Sequence, residues 1–137
     1  MSKFSTIEVE FKDRDCIVET LEEMGYPVEV SSLAGLTLNG YYEADTLQNI
    51  ANIVIRKHNL SVSSNDLGFQ RTATGYKMLI SDYDKDHLMA RGGKLFVKSF
   101  TERYGLRVAV SAAQRLGFKQ VATTDINGRP RIEMRRW

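Results

Sequence analysis

Three carboxylates at alternating positions, Asp82, Asp84 and Asp86 in the run Asp82-Tyr83-Asp84-Lys85-Asp86, form the most chemically suggestive stretch of the chain. Acidic side chains spaced in this way open calcium-binding loops, where hard oxygen ligands gather around the cation. Such a loop also needs Gly at its sixth position and a bidentate Glu at its twelfth, and those places hold His87 and Gly93. The run therefore reads as a solvated strand-to-helix turn. A weak Mg²⁺ or Ca²⁺ site, and a metal-assisted enzyme built on it, is the lesser alternative.

Other reactive residue types stand apart. His58 and His87 lie in separate polar segments with no second His or Cys at ligand spacing, which points to surface histidines rather than a metal site or proton shuttle. Ser31-Ser32 and Ser63-Ser64 lack the glycines of a nucleophile elbow, and neither GxxxxGK[ST] nor GxGxxG occurs. No catalytic set and no cofactor is expected. The lone Cys16 cannot form an internal disulfide and sits among Ile17, Leu21 and Met24 at helical spacing, so a buried, inert thiol in a reducing compartment is expected. Arg131, Arg135 and Arg136 with Trp137 resemble a surface that stacks bases or grips phosphates. Glu133 within that run, and a formal net charge of only +2, favour an edge strand guarded by charge and argue against nucleic acid.

These residues must be carried by ordinary folded elements. A length of 137 residues, 42% hydrophobic and 26% charged, fits a single domain spanning 1–137. No apolar run approaches the roughly 18 residues that a membrane span needs, and neither a signal peptide nor an anchor is expected, so the reading is soluble and cytoplasmic. Ile7, Val9 and Phe11 alternate with Thr6, Glu8 and Glu10, which predicts a half-buried strand over Ser5–Phe11. Asp13 caps a helix with Ile17, Val18, Leu21 and Met24 on its apolar face, and Gly25 stops it. Val28 and Val30 restart a strand, giving β-α-β.

From about residue 31 to 50 periodicity fades into a loop-rich excursion, with a short strand at Leu36–Leu38. Asn52–Lys57 then reads as a central strand. Leu67–Arg71 and Tyr76–Ser81 flank Ala73-Thr74-Gly75 as a hairpin. Lys94–Leu116 carries an apolar helical face, with a kink or a two-helix break expected at Gly105, and Gly117 caps it. Phe118–Thr124 and Arg131–Arg136 flank Asp125-Ile126-Asn127-Gly128 as a second hairpin. The sum is an α+β fold: a mostly antiparallel sheet with two main helices packed on one face, with ferredoxin-like tendencies. Phe118–Thr124 is expected to share that sheet.

Several short motifs, in this order along nearly the whole chain, carry a family resemblance: Met1-Ser2-Lys3-Phe4-Ser5-Thr6-Ile7, Ile53-Val54-Ile55-Arg56, Asn65-Asp66-Leu67-Gly68-Phe69, Ile80-Ser81-Asp82-Tyr83-Asp84, Arg103-Tyr104, Gly117-Phe118 and Arg135-Arg136-Trp137. The chain resembles the uncharacterised bacterial, phage and plastid family whose chloroplast members are called hypothetical chloroplast reading frame thirty-five. It departs from that pattern at Lys3, where many members have His, and over the stretch from Leu33 to Asn49. The resemblance implies no established activity. Members of the family lie near genes for AAA-type ATPases, so the resemblance implies, by that association only, an accessory or adaptor role with a protein partner. Among matching positions, Arg56, Asp66, Arg71, Asp82, Asp84, Arg103 and Tyr104 are the polar or amphipathic candidates for a ligand- or partner-binding surface. Two readings lead: a non-enzymatic binding or adaptor module, and a small-molecule or nucleotide binder using an arginine and aromatic surface for an anionic ligand.

Overall fold

The first strand shows how local pattern and tertiary pairing divide the work. In the computed structural model, which describes residues 4–31, 33–40, 49–61, 63–126 and 129–136, β1 (Phe4–Phe11) pairs antiparallel with β7 (Tyr76–Ser81). Its register shifts between Thr6 and Glu10, so the strict alternation is broken: Phe11 is buried and Ile7 packs on the core, but Val9 is 53% exposed. The irregularity turns Val9 away from the face that its sequence position suggests.

Helix α1 (Arg14–Glu23) starts where expected, because the Asp13 side chain accepts the Cys16 N–H at 3.0 Å. It ends in a Schellman arrangement: Tyr26 N–H donates to the Leu21 carbonyl and Gly25 N–H to that of Glu22, with Gly25 at φ +93°. Cys16 is buried inside it, and burial first, then the neighbouring Asp13, pushes its thiol up to about 11.

β2 (Glu29–Val30), β5 (Ile53–Ile55), β6 (Leu67–Arg71), β7 and β1 form a five-stranded sheet in the order β1-β7-β6-β5-β2, every pair antiparallel. One face receives α1 and α3 (Phe96–Arg115). Ile53, Phe69, Met78 and Ile80 pack there against Ile17 and Leu21 of α1 and Phe96 and Phe100 of α3. Phe11 stands edge-on to Phe69, Phe100 and Tyr104, with centroids 5.7, 5.2 and 5.1 Å away. The α+β layering of an antiparallel sheet with the main helices on one side is as expected.

The loop-rich excursion has a definite role at its two ends. β3 (Leu36–Thr37) and β4 (Ile50–Ala51) pair and place Leu38 and Ala51 over Val54 and Leu79 on the sheet face opposite the helices. Gly68 makes this approach feasible, since a Cβ there would lie 2.6 Å from the Ala51 Cβ and 2.9 Å from Leu38 Cδ2.

Three expectations are corrected. The acidic turn is a short helix, α2 (Asp82–His87), because Ser81 caps it by accepting the Asp84 N–H at 3.0 Å. Helix α3 runs through Gly105 without a break: Phe100 and Tyr104 anchor it on one side of the glycine and the buried Val110 on the other, which outweighs a cost of about 1 kcal/mol. β8 (Phe118–Ile126) does not join the main sheet. It pairs with β9 (Arg129–Arg136) in a separate two-stranded ribbon against α3, whose twenty residues carry the chain about 30 Å onward. The Asn127-Gly128 turn and Trp137 lie outside the described residues. No helix among the described residues is long and apolar enough to cross a membrane.

Candidate functional site

The expected site residues separate into two regions. The first is a buried polar network at the end of the sheet where β5 finishes and β6 begins. Asp66 precedes β6 and is 1% exposed. Its Oδ2 accepts from Arg56 Nη1 and from the Asn39 N–H at 2.8 Å each, and its Oδ1 accepts from the Lys57 N–H at 2.7 Å. Arg56 completes the connection by donating to the Thr37 carbonyl and, through Nε, to Glu29 at 2.8 Å. These hydrogen bonds hold the Glu29 carboxyl below its ordinary value. One guanidinium therefore ties β2, β3 and the β5–β6 connection together.

Asn65 continues the network towards α2. Its N–H donates to Asp84 Oδ2 at 2.9 Å and its side-chain amide to Ser81 Oγ at 2.9 Å. Asp84 is buried, whereas Asp82 and Asp86 are exposed on the same short helix. Helical spacing of about 100° per residue separates the middle carboxylate from the outer two, and among the described residues no three His, Cys, Asp or Glu side chains are grouped to hold a metal. The cue in the sequence for this arrangement was Ser81-Asp82-Tyr83-Asp84, a helix-capping pattern.

Arg71, Arg103 and Tyr104 lie elsewhere. Arg71 is exposed at the opposite end of β6 from the Arg56–Asp66 pair, about 17 Å along the chain from Asp66. The Tyr104 hydroxyl accepts the Asp13 N–H at 2.9 Å, which couples α3 to the start of α1; burial chiefly raises its pKa above the ordinary value. The structure thus joins Arg56, Asp66 and Asp84, and leaves Arg71, Arg103 and Tyr104 outside that group.

Arg103 belongs to the second region, a cleft of about 150 Å³ lined by Glu23 and Met24 at the end of α1, Ala90 and Arg91, and Ser99 and Arg103 of α3. Ser99 and Arg103 share one helical face. Arg91 reaches in over Gly25, where an added Cβ would lie 3.1 Å from its Cζ. Glu23 is engaged by Arg107. Neither Arg91 nor Arg103 has a carboxylate partner among the described residues, unlike Arg56 and Arg107. Arg91 is also close enough to offset part of the burial that raises the Tyr26 hydroxyl pKa. Two planar, permanently charged guanidinium groups among the residues lining one small cleft suit a carboxylate or phosphate group. Arg91 was not among the expected residues; Arg91-Gly92-Gly93, a cation beside two glycines in a turn, was its signal in the sequence.

An antiparallel α+β fold with an arginine-lined cleft defines a broad class, and the family is narrower. The chain belongs to the DUF1257 family, described as proteins of unknown function, which it matches over residues 20–131. That span contains both the polar network and the cleft. No curated protein and no solved structure matches the chain.

Proposed function

We propose that this protein is a non-enzymatic binding module that takes the anionic group of a ligand or partner, a carboxylate or a phosphate, into the cleft between Arg91 and Arg103. The observation that carries this reading is that two arginines without carboxylate partners among the described residues line one cleft, beside a Glu23 already engaged by Arg107. Of the residues expected to form a binding surface, Arg103 makes the contact. Tyr104 positions α3 against α1, and Arg56, Asp66 and Asp84 hold the sheet end. Asp82 and Arg71 remain exposed.

The adaptor role follows from the same chemistry. A protein partner presents an acidic side chain to the cleft, and the family resemblance makes a cytoplasmic AAA-type ATPase of a bacterium, phage or plastid the first partner to test. A nucleotide entering by its phosphates is the competing ligand.

Thermal unfolding of the full chain with inorganic phosphate, ATP or an acidic peptide tests the reading. A ligand at 100 times its dissociation constant adds about 2.7 kcal/mol of stability, and Arg91→Ala with Arg103→Ala should remove the shift while leaving the unliganded protein folded. If no anion stabilises the parent chain, or the double variant responds as the parent does, the cleft is not the binding site.

A further inference from the structure

Ser99 is the one neutral polar residue among those lining the cleft with Arg91 and Arg103. It lies one turn before Arg103 on α3 and is 6% exposed. Its N–H donates to the Leu95 carbonyl at 3.0 Å, but its hydroxyl makes no hydrogen bond among the described residues. Thr20 and Thr101 behave differently. Each takes the bond to the carbonyl four residues back that is open to a helical Ser or Thr, Thr20 to Cys16 at 2.6 Å and Thr101 to Val97 at 2.7 Å. A buried hydroxyl without a partner is costly, and one that lines a cleft is free to meet a ligand.

The charges around Ser99 set a second condition. Glu23 is engaged by Arg107, which leaves Arg91 and Arg103 as two positive charges without a carboxylate partner among the described residues. A carboxylate brings a single negative charge and two acceptor oxygens. A phosphate monoester brings about −1.5 to −2 at pH 7 and three acceptor oxygens. Two guanidinium groups with one hydroxyl match the monoester better in both charge and donors. Size agrees: a cleft of about 150 Å³ holds a phosphoryl group, whereas whole small-molecule ligands fill about 300–1,000 Å³. The rest of the ligand therefore lies outside it.

We propose that the group this cleft selects is a phosphate monoester rather than a carboxylate, with the Ser99 hydroxyl donating to a phosphoryl oxygen beside Arg91 and Arg103. This inference rests on the anion-binding reading of the cleft and narrows it to one ligand class. Its source is a phosphorylated side chain of a partner protein or a nucleotide, which share that chemistry.

Isothermal titration calorimetry on the full chain uses three probes: a short peptide bearing phosphoserine, the same peptide with Glu in that place, and AMP. The phosphopeptide or AMP should bind at least about tenfold more tightly than the Glu peptide, and the tighter of the two identifies the source. Ser99→Ala should reduce that preference by about fivefold. Without ligand, the variant should melt at the parent's temperature or above it, because a hydroxyl that bonds nothing is lost without cost. A melting temperature well below the parent's would show that the protein itself uses the hydroxyl, and overturns the proposal. So does a Glu peptide that binds as tightly as both phosphorylated probes, or a preference that survives Ser99→Ala intact; in either case the anion-binding reading of the cleft still stands. If none of the three probes binds, both fail.

Discussion

Arg56 and Asp66 are joined at 2.8 Å through the same carboxylate oxygen that receives the Asn39 N–H, so one buried acceptor atom holds a side chain from the end of β5 and the backbone beyond β3. Breaking a buried pair from one side strands the remaining charge, at a cost of about 3–5 kcal/mol. Arg56→Ala should cost about 3 kcal/mol, the lower end of that range, since Asp66 keeps two backbone N–H donors. Urea unfolding of the variant measures this; a loss below about 1 kcal/mol would show that the pair is not holding the sheet end.

Glu29 on the other side of Arg56 gives a pH signature. Its folded-state carboxyl lies below its ordinary 4.5, first because Arg56 donates to it. A depressed acid contributes stability that is complete above its unfolded value and is lost as pH falls through the folded one. The Glu29 side chain is 51% exposed, so the effect is small. The urea midpoint of Glu29→Gln should trail the parent at about pH 7, and the gap should narrow as the pH falls below the ordinary carboxyl value of 4.5. A gap that widens on acidification contradicts this assignment.

Gly68→Ala tests the close approach of the β3–β4 ribbon to the sheet. The new methyl meets Ala51 and Leu38 well inside contact distance, and overpacking of this kind costs about 1–3 kcal/mol. Pairing it with Ala51→Gly removes the nearest obstructing atom, so the double variant should be more stable than the sum of the two single losses. Strict additivity would show that the clash is relieved elsewhere.

Gly25→Ala acts on both the α1 terminus and the cleft. Its φ of +93° makes a side chain unfavourable by about 1–2 kcal/mol, and the Cβ would crowd the Arg91 guanidinium. The expected outcome is a lower melting temperature together with weaker stabilisation by phosphate or an acidic peptide. Unaltered anion response in the destabilised protein would separate Arg91 from binding.

Tyr104→Phe removes only the hydroxyl that accepts the Asp13 N–H while keeping the ring against Phe11. A part-buried donor left unmet costs about 1–2 kcal/mol. Amide exchange should quicken in the first turn of α1, and an unchanged rate there would show that water replaces the hydroxyl fully.

Local chemistry determined much of this protein. Asp13 and Gly25 bound α1, the short glycine-bearing connection Ala73-Thr74-Gly75 set β6 beside β7, and Ile53-Val54-Ile55 formed a buried strand, because capping, turn chemistry and apolar runs act within a few residues. The resemblance carried by motifs such as Asn65-Asp66-Leu67-Gly68-Phe69 pointed to an uncharacterised family. Tertiary structure alone decided the rest. Whether β8 entered the main sheet depended on where α3 delivered the chain, and Val9 turned outward because β7 fixed a shifted register. Asp66 became a structural acceptor while Arg91 and Arg103 came to share a cleft, since both outcomes depend on elements far apart in sequence. Pairing geometry between distant segments leaves no periodic trace in the residues themselves, whereas caps, turns and amphipathic faces do.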